Sequence, residues 1–204
     1  MEVIQNNNTA PQGEDLSVWG YFVRCLTKKY SDFSGRARRK EWWSFALFEL
    51  LITSLFSIPM GVTLVKDMTT DPEMAQYVAQ NSSDTQYIYS LMGDNVFFWA
   101  LMIVGILLLV PMLAVGCRRF HDVGLSTGLF WVVGGLSVLN SLVGVLAVIT
   151  PALFPQAVTN ILSTLSMLAG LAMLVIAFIP GKTGPNAYGP DPKPAPTYEG
   201  YGQI

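Results

Sequence analysis

The residues with the most evident chemical potential lie in one short segment, residues 118–124, which reads Arg-Arg-Phe-His-Asp-Val-Gly. It holds the only histidine of the chain, His121, beside the carboxylate of Asp122 and the guanidinium groups of Arg118 and Arg119. The planar donors of arginine suit phosphate oxygens, and an imidazole can act as a general base. The segment therefore predicts a cationic site with a titratable centre.

A purely structural interpretation stands beside this one. Asp122 would then cap a helix or pair with Arg118 or Arg36, and His121 would bond to a carbonyl. His121 and Asp122 are adjacent, so on a helix they point in different directions and form no ready-made catalytic dyad. The sequence has no serine elbow and no cluster of metal ligands, and Cys25 and Cys117 are expected to be reduced structural thiols. We therefore expect no enzyme activity, no cofactor and no bound metal.

The elements that must position these residues are membrane helices. Hydrophobic residues make up 51% of the 204-residue chain and charged residues 13%, a composition typical of a protein in a bilayer. Apolar runs predict four spans, at about 44–65, 95–117, 128–149 and 158–179, with Arg118 and Arg119 stopping the second. The last two share one uncharged stretch, which Pro151 and Pro155 divide. Residues 16–30 carry a roughly helical stripe of apolar side chains among polar residues, with basic residues following, which predicts either an interfacial helix or one packed on the bundle.

The predicted fold is an all-α integral membrane bundle of four transmembrane helices with an amphipathic N-terminal interfacial helix. Its membrane domain covers residues 16–192, flanked by disordered tails at 1–15 and 193–204. The polar loop 66–94 carries five acids against Lys66, and its start predicts a short helix from Thr70 to about Gln80.

The basic residues predict the topology. All Lys and Arg except Lys66 fall on one side of a four-span arrangement. Because basic flanks resist translocation, that side is expected to be cytoplasmic, with both termini there and loop 66–94 outside.

One acid, Glu49, lies within the first span. An ionised carboxylate in a bilayer costs a few kcal/mol or more. Glu49 is therefore either drawn toward the preceding basic cluster, or a proton or cation site. In the second case Glu49, Asn140 and Pro59 would line the path of a small transporter or channel.

Three motifs stand in order at the predicted cytoplasmic ends: Phe-Ser-Gly-Arg at 33–36 with Glu-Trp-Trp at 41–43, the segment 118–124, and Gly-Pro-Asn-Ala-Tyr-Gly-Pro-Asp-Pro at 184–192. Together they resemble domain-of-unknown-function family 805, the YhaH-like small bacterial inner-membrane proteins, over roughly residues 21–192. The resemblance implies a bacterial inner-membrane location and a helical bundle with a cytoplasmic amino terminus. It implies no enzyme activity.

The basic residues of these motifs define the candidate ligand site. Its members share one predicted membrane face: Arg36, Arg38, Arg118, Arg119, His121, Asp122 and Asn186. Basic pockets of this kind hold phospholipid headgroups. We expect a non-catalytic protein that binds anionic lipid or the acidic segment of a membrane partner or a second copy, with no nucleic acid as partner because no recognition motif appears. A membrane enzyme acting on lipid, with His121 as base, is the least favoured alternative.

Overall fold

Helices account for nearly all of the regular structure in this computed structural model, which describes residues 15–70, 72–80, 92–150 and 153–193. In chain order they are α1 (Val18–Leu26), α2 (Arg39–Thr70), α3 (Pro72–Gln80), α4 (Val96–Val123), α5 (Thr127–Ile149) and α6 (Gln156–Phe178). No strand occurs within these ranges, where Asn186 and Gly189 form an isolated bridge. The predicted tails lie outside the described residues, except for Asp15 and Lys193. Residues 81–91 of the polar loop also lie outside the described residues.

The prediction of an all-helical bundle with four spans is confirmed. Helices α2, α4, α5 and α6 are each long and apolar enough to cross a membrane. Their outward side chains are large and apolar, with Leu55 69% and Ile103 62% exposed, a surface that a bilayer solvates and water does not. The predicted break between the third and fourth spans is present, since α5 ends at Ile149 and α6 begins at Gln156, directly after Pro155; Pro151 lies outside the described residues.

Two helices extend beyond the predicted spans. With 32 residues, α2 has a length of about 48 Å at about 1.5 Å per residue, so it protrudes from a hydrocarbon core about 30 Å thick. Helix α4 continues past the predicted end of the second span, through Arg118 and Arg119 to Val123. It ends at Gly124, which has φ 87° and donates to the His121 carbonyl at 3.0 Å, while Leu125 donates to Phe120 at 2.9 Å. This is a Schellman termination, in which glycine adopts the left-handed conformation at little cost.

Helix α4 is the centre of the bundle. One apolar cluster joins it to α1 and α2 through Phe22, Phe45 and Val115. A second joins it to α5 and α6 through residues that include Phe120, Phe130 and Ile176. Helix α1 packs on the bundle through buried Phe22 and Cys25 while Trp19 is 58% exposed, so it is amphipathic as predicted.

Candidate functional site

Charged side chains are buried where α1, the segment 27–38, the start of α2, the end of α4 and residues 179–191 meet. We call this region the basic end. Its contacts divide into two groups: the Asp122 cluster, formed by Arg36, Arg119 and Asp122, and the Glu41 cluster, formed by Arg24, Glu41 and Arg118.

The Asp122 cluster is a carboxylate held between two guanidinium groups. Arg36 Nε donates to Asp122 Oδ1 at 3.0 Å, and Arg119 Nη1 donates to Asp122 Oδ2 at 2.6 Å. All three residues are at most 5% exposed. Since Arg36 and Asp122 are 86 positions apart, this ion pair fixes the segment before α2 against the end of α4.

Arg119 also caps the carboxyl end of α6. Its Nη2 donates to the carbonyl of Ala177 at 3.5 Å and to that of Ile179, and its Nη1 reaches the Ala37 carbonyl at 3.4 Å. The last carbonyls of a helix have no partner within the helix and lie at the negative end of its dipole. Pro180 cannot continue the helix, so the guanidinium of Arg119 takes these acceptors instead.

The segment after α6 is bound to the same cluster. Arg36 Nη1 donates to the Gly184 carbonyl at 2.6 Å and its Nη2 to the Lys182 carbonyl, while the Lys182 N–H donates to the Asp122 carbonyl at 2.8 Å. At Gly181 a side chain would overlap the Asp122 carboxylate. Glycine there allows the backbone to pass close to the ion pair.

His121 joins three segments. Its Nδ1 lies 3.0 Å from the Gly35 carbonyl and its Nε2 lies 2.8 Å from the Thr127 hydroxyl. Tyr188 stacks on the ring with centroids 3.9 Å apart and an interplanar angle of 3°. Asn186 completes the contact by donating from Nδ2 to the His121 carbonyl at 2.9 Å. His121 is 4% exposed, and these contacts occupy both ring nitrogens and one face.

The Glu41 cluster lies on the opposite side of α4. Glu41 is 1% exposed and pairs through Oε1 with Arg118 Nη2 at 3.0 Å and through Oε2 with Arg24 Nη2 at 3.1 Å. The Cys25 thiol lies 3.8 Å from Glu41 Oε1. Burial, followed by the charge of Glu41, raises the pKa of Cys25 to about 11, so this thiol is a poor nucleophile.

Two further titratable groups border the Glu41 cluster. Burial, together with the charges of Arg118 and Arg24, lowers the pKa of Lys29 against an opposing effect of Glu41. Partial burial acts to raise the pKa of Asp32, but hydrogen bonds from the Ser34 hydroxyl and N–H outweigh it, so the pKa is lowered. The Asp32 carboxylate lies 3.9 Å from Arg118 Nη1.

The candidate residues therefore separate into groups. Arg36, Arg119, Asp122, His121 and Asn186 come together, whereas Arg118 faces the other cluster. Arg38 lies apart, donating to the Tyr21 hydroxyl at 2.9 Å and to Asp15 at 3.3 Å. Glu49 is half-buried in α2, and its carboxylate has no hydrogen bond or ion pair among the described residues.

Glu41 and Arg24 are site residues that the sequence reasoning missed. The available signal was that Glu41 is a single acid following four basic residues at the start of a membrane helix. An acid in that position needs a cation when the helix end is buried.

In the described part of the chain, no three His, Cys, Asp or Glu side chains meet as metal ligands.

Comparison with known proteins places the chain in a family. No curated protein and no solved structure matches it. The sequence profile of a family described as proteins of unknown function (DUF805) matches residues 30–190, which include α2 to α6 and every member of the Asp122 cluster. Because this match covers more than half of the chain, the protein belongs to the DUF805 family.

Proposed function

We propose that this chain is a non-catalytic integral protein of a bacterial inner membrane, whose basic end faces the cytoplasm and binds anionic phospholipid headgroups. The observation that carries the proposal is that the basic residues fall into a buried, paired group and an exposed group. The most deeply buried arginines pair inside the protein, whereas the side chains of Arg39, Lys182 and Lys193 are exposed. Exposed cations beside an apolar helix surface attract anionic headgroups.

The tryptophans of α2 support the same placement. Trp42 and Trp43 lie in the first turns of α2, shortly after Arg39, and Trp43 packs on Phe178 at the end of α6, with ring centroids 4.8 Å apart. Indole rings favour the headgroup level of a bilayer. The exposed lysines and Arg39 would then lie where lipid phosphates are densest.

Native mass spectrometry tests the proposal. The wild type is compared with the double variant Arg39→Gln/Lys182→Gln after purification from a mixture of phosphatidylglycerol and phosphatidylcholine. We expect the wild type to retain phosphatidylglycerol selectively and the double variant to retain clearly less of it. Lys66→Gln is the matched control, since it removes an exposed cation at the far end of α2.

If the wild type retains phosphatidylglycerol and phosphatidylcholine equally, selective binding of anionic lipid is contradicted. An acidic segment of a membrane partner or of a second copy would then be the ligand to seek, since carboxylates satisfy the same cations.

A small proton-coupled transporter is the second candidate, and Glu49 is the observation that favours it. A half-buried carboxyl group without a protein partner in a membrane helix is typical of proton pathways. Asn140, the other polar residue considered for the path, accepts from the Ser163 hydroxyl at 3.1 Å.

Reconstituted liposomes with an internal pH dye test this candidate. A proton flux that Glu49→Gln abolishes, and that the exposed-acid control Glu73→Gln retains, would support transport. Equal flux in all three proteins would exclude a role for Glu49.

A further inference from the structure

Among the described residues, Arg118 is a fully buried cation that leaves two nitrogens without a hydrogen-bond partner, where Arg24 and Arg119 leave one each. It is 0% exposed, and its Nη2 forms an ion pair with Glu41 Oε1 at 3.0 Å and a hydrogen bond to the Cys25 sulfur at 3.8 Å. Its Nε and Nη1 have no hydrogen-bond partner. Leaving buried donors of a charged group unpaired costs several kcal/mol per group, so a further acceptor is expected beside them.

The nearest acid does not fill this role. Asp32 Oδ2 lies 3.9 Å from Arg118 Nη1, beyond hydrogen-bond distance. Its other oxygen, Oδ1, accepts from the Ser34 N–H at 3.0 Å and from the Ser34 hydroxyl, which holds the side chain in this position. Glu41 has no oxygen to spare, since each already faces a guanidinium.

Two more cations, Arg24 and Lys29, lie near Arg118. Arg24 Nε is also buried without a partner. The Lys29 N–H donates to the Arg24 carbonyl at 2.9 Å, which folds half-buried Lys29 back over the end of α1. Three positive groups are therefore close to only two carboxylates, those of Glu41 and Asp32, which leaves an excess of one positive charge. The positive groups are Arg24, Lys29 and Arg118.

The segment that carries Lys29 also lies at the apolar surface. The neighbouring Tyr30 is 36% exposed and donates its hydroxyl to the carbonyl of Leu107 on α4, at 2.8 Å; Leu107 is itself 58% exposed. A ligand that approaches Arg24, Lys29 and Arg118 along this segment thus comes from the boundary between the apolar helix surface and the basic end.

We propose that Arg24, Lys29 and Arg118 bind one phosphate oxyanion, which the phosphodiester of an anionic phospholipid supplies. The site accounts for the unpaired donors of both arginines and neutralises the excess charge. Free inorganic phosphate has the same chemistry and is the other possible source. This inference rests on the proposed function and assigns the lipid headgroup a specific position on it.

The test uses the full chain in nanodiscs of phosphatidylcholine, with and without phosphatidylglycerol, and counts retained lipids by native mass spectrometry. Lys29→Met removes one cation of the site and leaves the pairs of Glu41 intact, while Lys28→Met is the matched control on an exposed neighbour. Arg118→Lys keeps a charge for Glu41 but lacks the two unpaired donors. We expect phosphatidylglycerol to bind Lys29→Met and Arg118→Lys roughly tenfold more weakly than it binds the wild type and Lys28→Met.

A second arm distinguishes the source of the phosphate. In nanodiscs of phosphatidylcholine alone, inorganic phosphate is titrated while the unfolding temperature is measured. A rise for the wild type and Lys28→Met that is absent in Lys29→Met supports the site. If phosphatidylglycerol is not retained in the first arm, the same result assigns the site to free phosphate, and the proposed lipid function fails while the site stands.

Other outcomes overturn the inference. Selective phosphatidylglycerol retention that Lys28→Met and Lys29→Met weaken equally would mean diffuse binding to the basic end, so the proposed function would stand without this site. If Lys29→Met and Arg118→Lys both retain as much phosphatidylglycerol as the wild type, the lipid binds elsewhere on the basic end, and the proposed function would again stand without this site. If neither phosphatidylglycerol nor phosphate affects the wild type, both proposals fail.

Discussion

Arg118 and Arg119 are adjacent in the sequence but take part in different clusters. Successive residues on an α-helix point about 100° apart, so Arg118 faces α1 and the start of α2, whereas Arg119 faces α6. Each finds a buried carboxylate, Glu41 in one case and Asp122 in the other. One pair of arginines thus connects the central helix to both halves of the bundle.

Asp122→Asn should destabilise the protein strongly. The substitution preserves the shape of the side chain but leaves Arg36 and Arg119 buried without a counter-charge, which costs about 3–5 kcal/mol. The free energy of unfolding in detergent, measured by denaturant titration, checks this. Asp15→Asn is the control: Asp15 pairs with Lys40 at 2.9 Å but is exposed to solvent, so we expect no measurable change. Equal losses in the two variants would contradict the buried pair.

The Cys25 thiol should resist alkylation until the protein unfolds. Its pKa is raised from 9.0 to about 11, so the folded protein binds the proton more tightly than the unfolded chain does. The resulting contribution to stability is complete below pH 9.0 and is lost as the pH rises through about 11. At pH 9 we expect iodoacetamide to modify Cys25 about tenfold or more slowly in the folded protein than in an SDS-unfolded sample. Peptide mapping by mass spectrometry measures this, and equal rates would contradict it.

At the scale of elements, Pro111 shows how a defect in one helix is satisfied by a neighbouring segment. Proline has no N–H, so the carbonyl of Leu107, four residues earlier, lacks its helical partner. The Tyr30 hydroxyl donates to that carbonyl at 2.8 Å. The segment after α1 is thereby attached to the middle of α4.

Tyr30→Phe should cost about 1 kcal/mol of unfolding free energy, because it leaves the Leu107 carbonyl without a donor. In a Pro111→Ala background, where residue 111 regains its N–H, the same substitution should cost clearly less. A double-mutant cycle in detergent gives the coupling. Additive effects would mean that the hydroxyl does not act through this carbonyl.

The helices were largely predictable from the sequence, because apolar runs, prolines and caps act locally. The main difference was the end of α4, where the arginines were expected to stop the span. Sequence alone does not show how these guanidinium groups are paired, since Arg118 pairs with Glu41 on another helix and Arg119 also depends on carbonyls 58 and 60 positions away. The grouping of the candidate site residues was likewise only partly predictable. The alternative that paired Asp122 with Arg36 was available, but the separation of Arg118 from Arg119 required the packing of three helices.

At the scale of the whole molecule, the charge distribution predicts orientation. Lys66 lies in the last turns of α2, and Lys182 lies beside Asp122 at the basic end. In right-side-out cells, we expect a membrane-impermeant maleimide to label Lys66→Cys and to leave Lys182→Cys unlabelled until the membrane is permeabilised. Labelling of Lys182→Cys in intact cells would reverse the proposed topology.

Four of the carbonyls that Arg36 and Arg119 bind also set an order of assembly. Ala177, Ile179, Lys182 and Gly184 all belong to the end of α6 or follow it, so they are the last of these groups to leave the ribosome. A nascent chain that has inserted only α2 and α4 holds both arginines next to Asp122 with these acceptors still to come. The basic end can therefore close only after synthesis has passed α6, because until then the guanidinium groups of Arg36 and Arg119 lack these carbonyl acceptors.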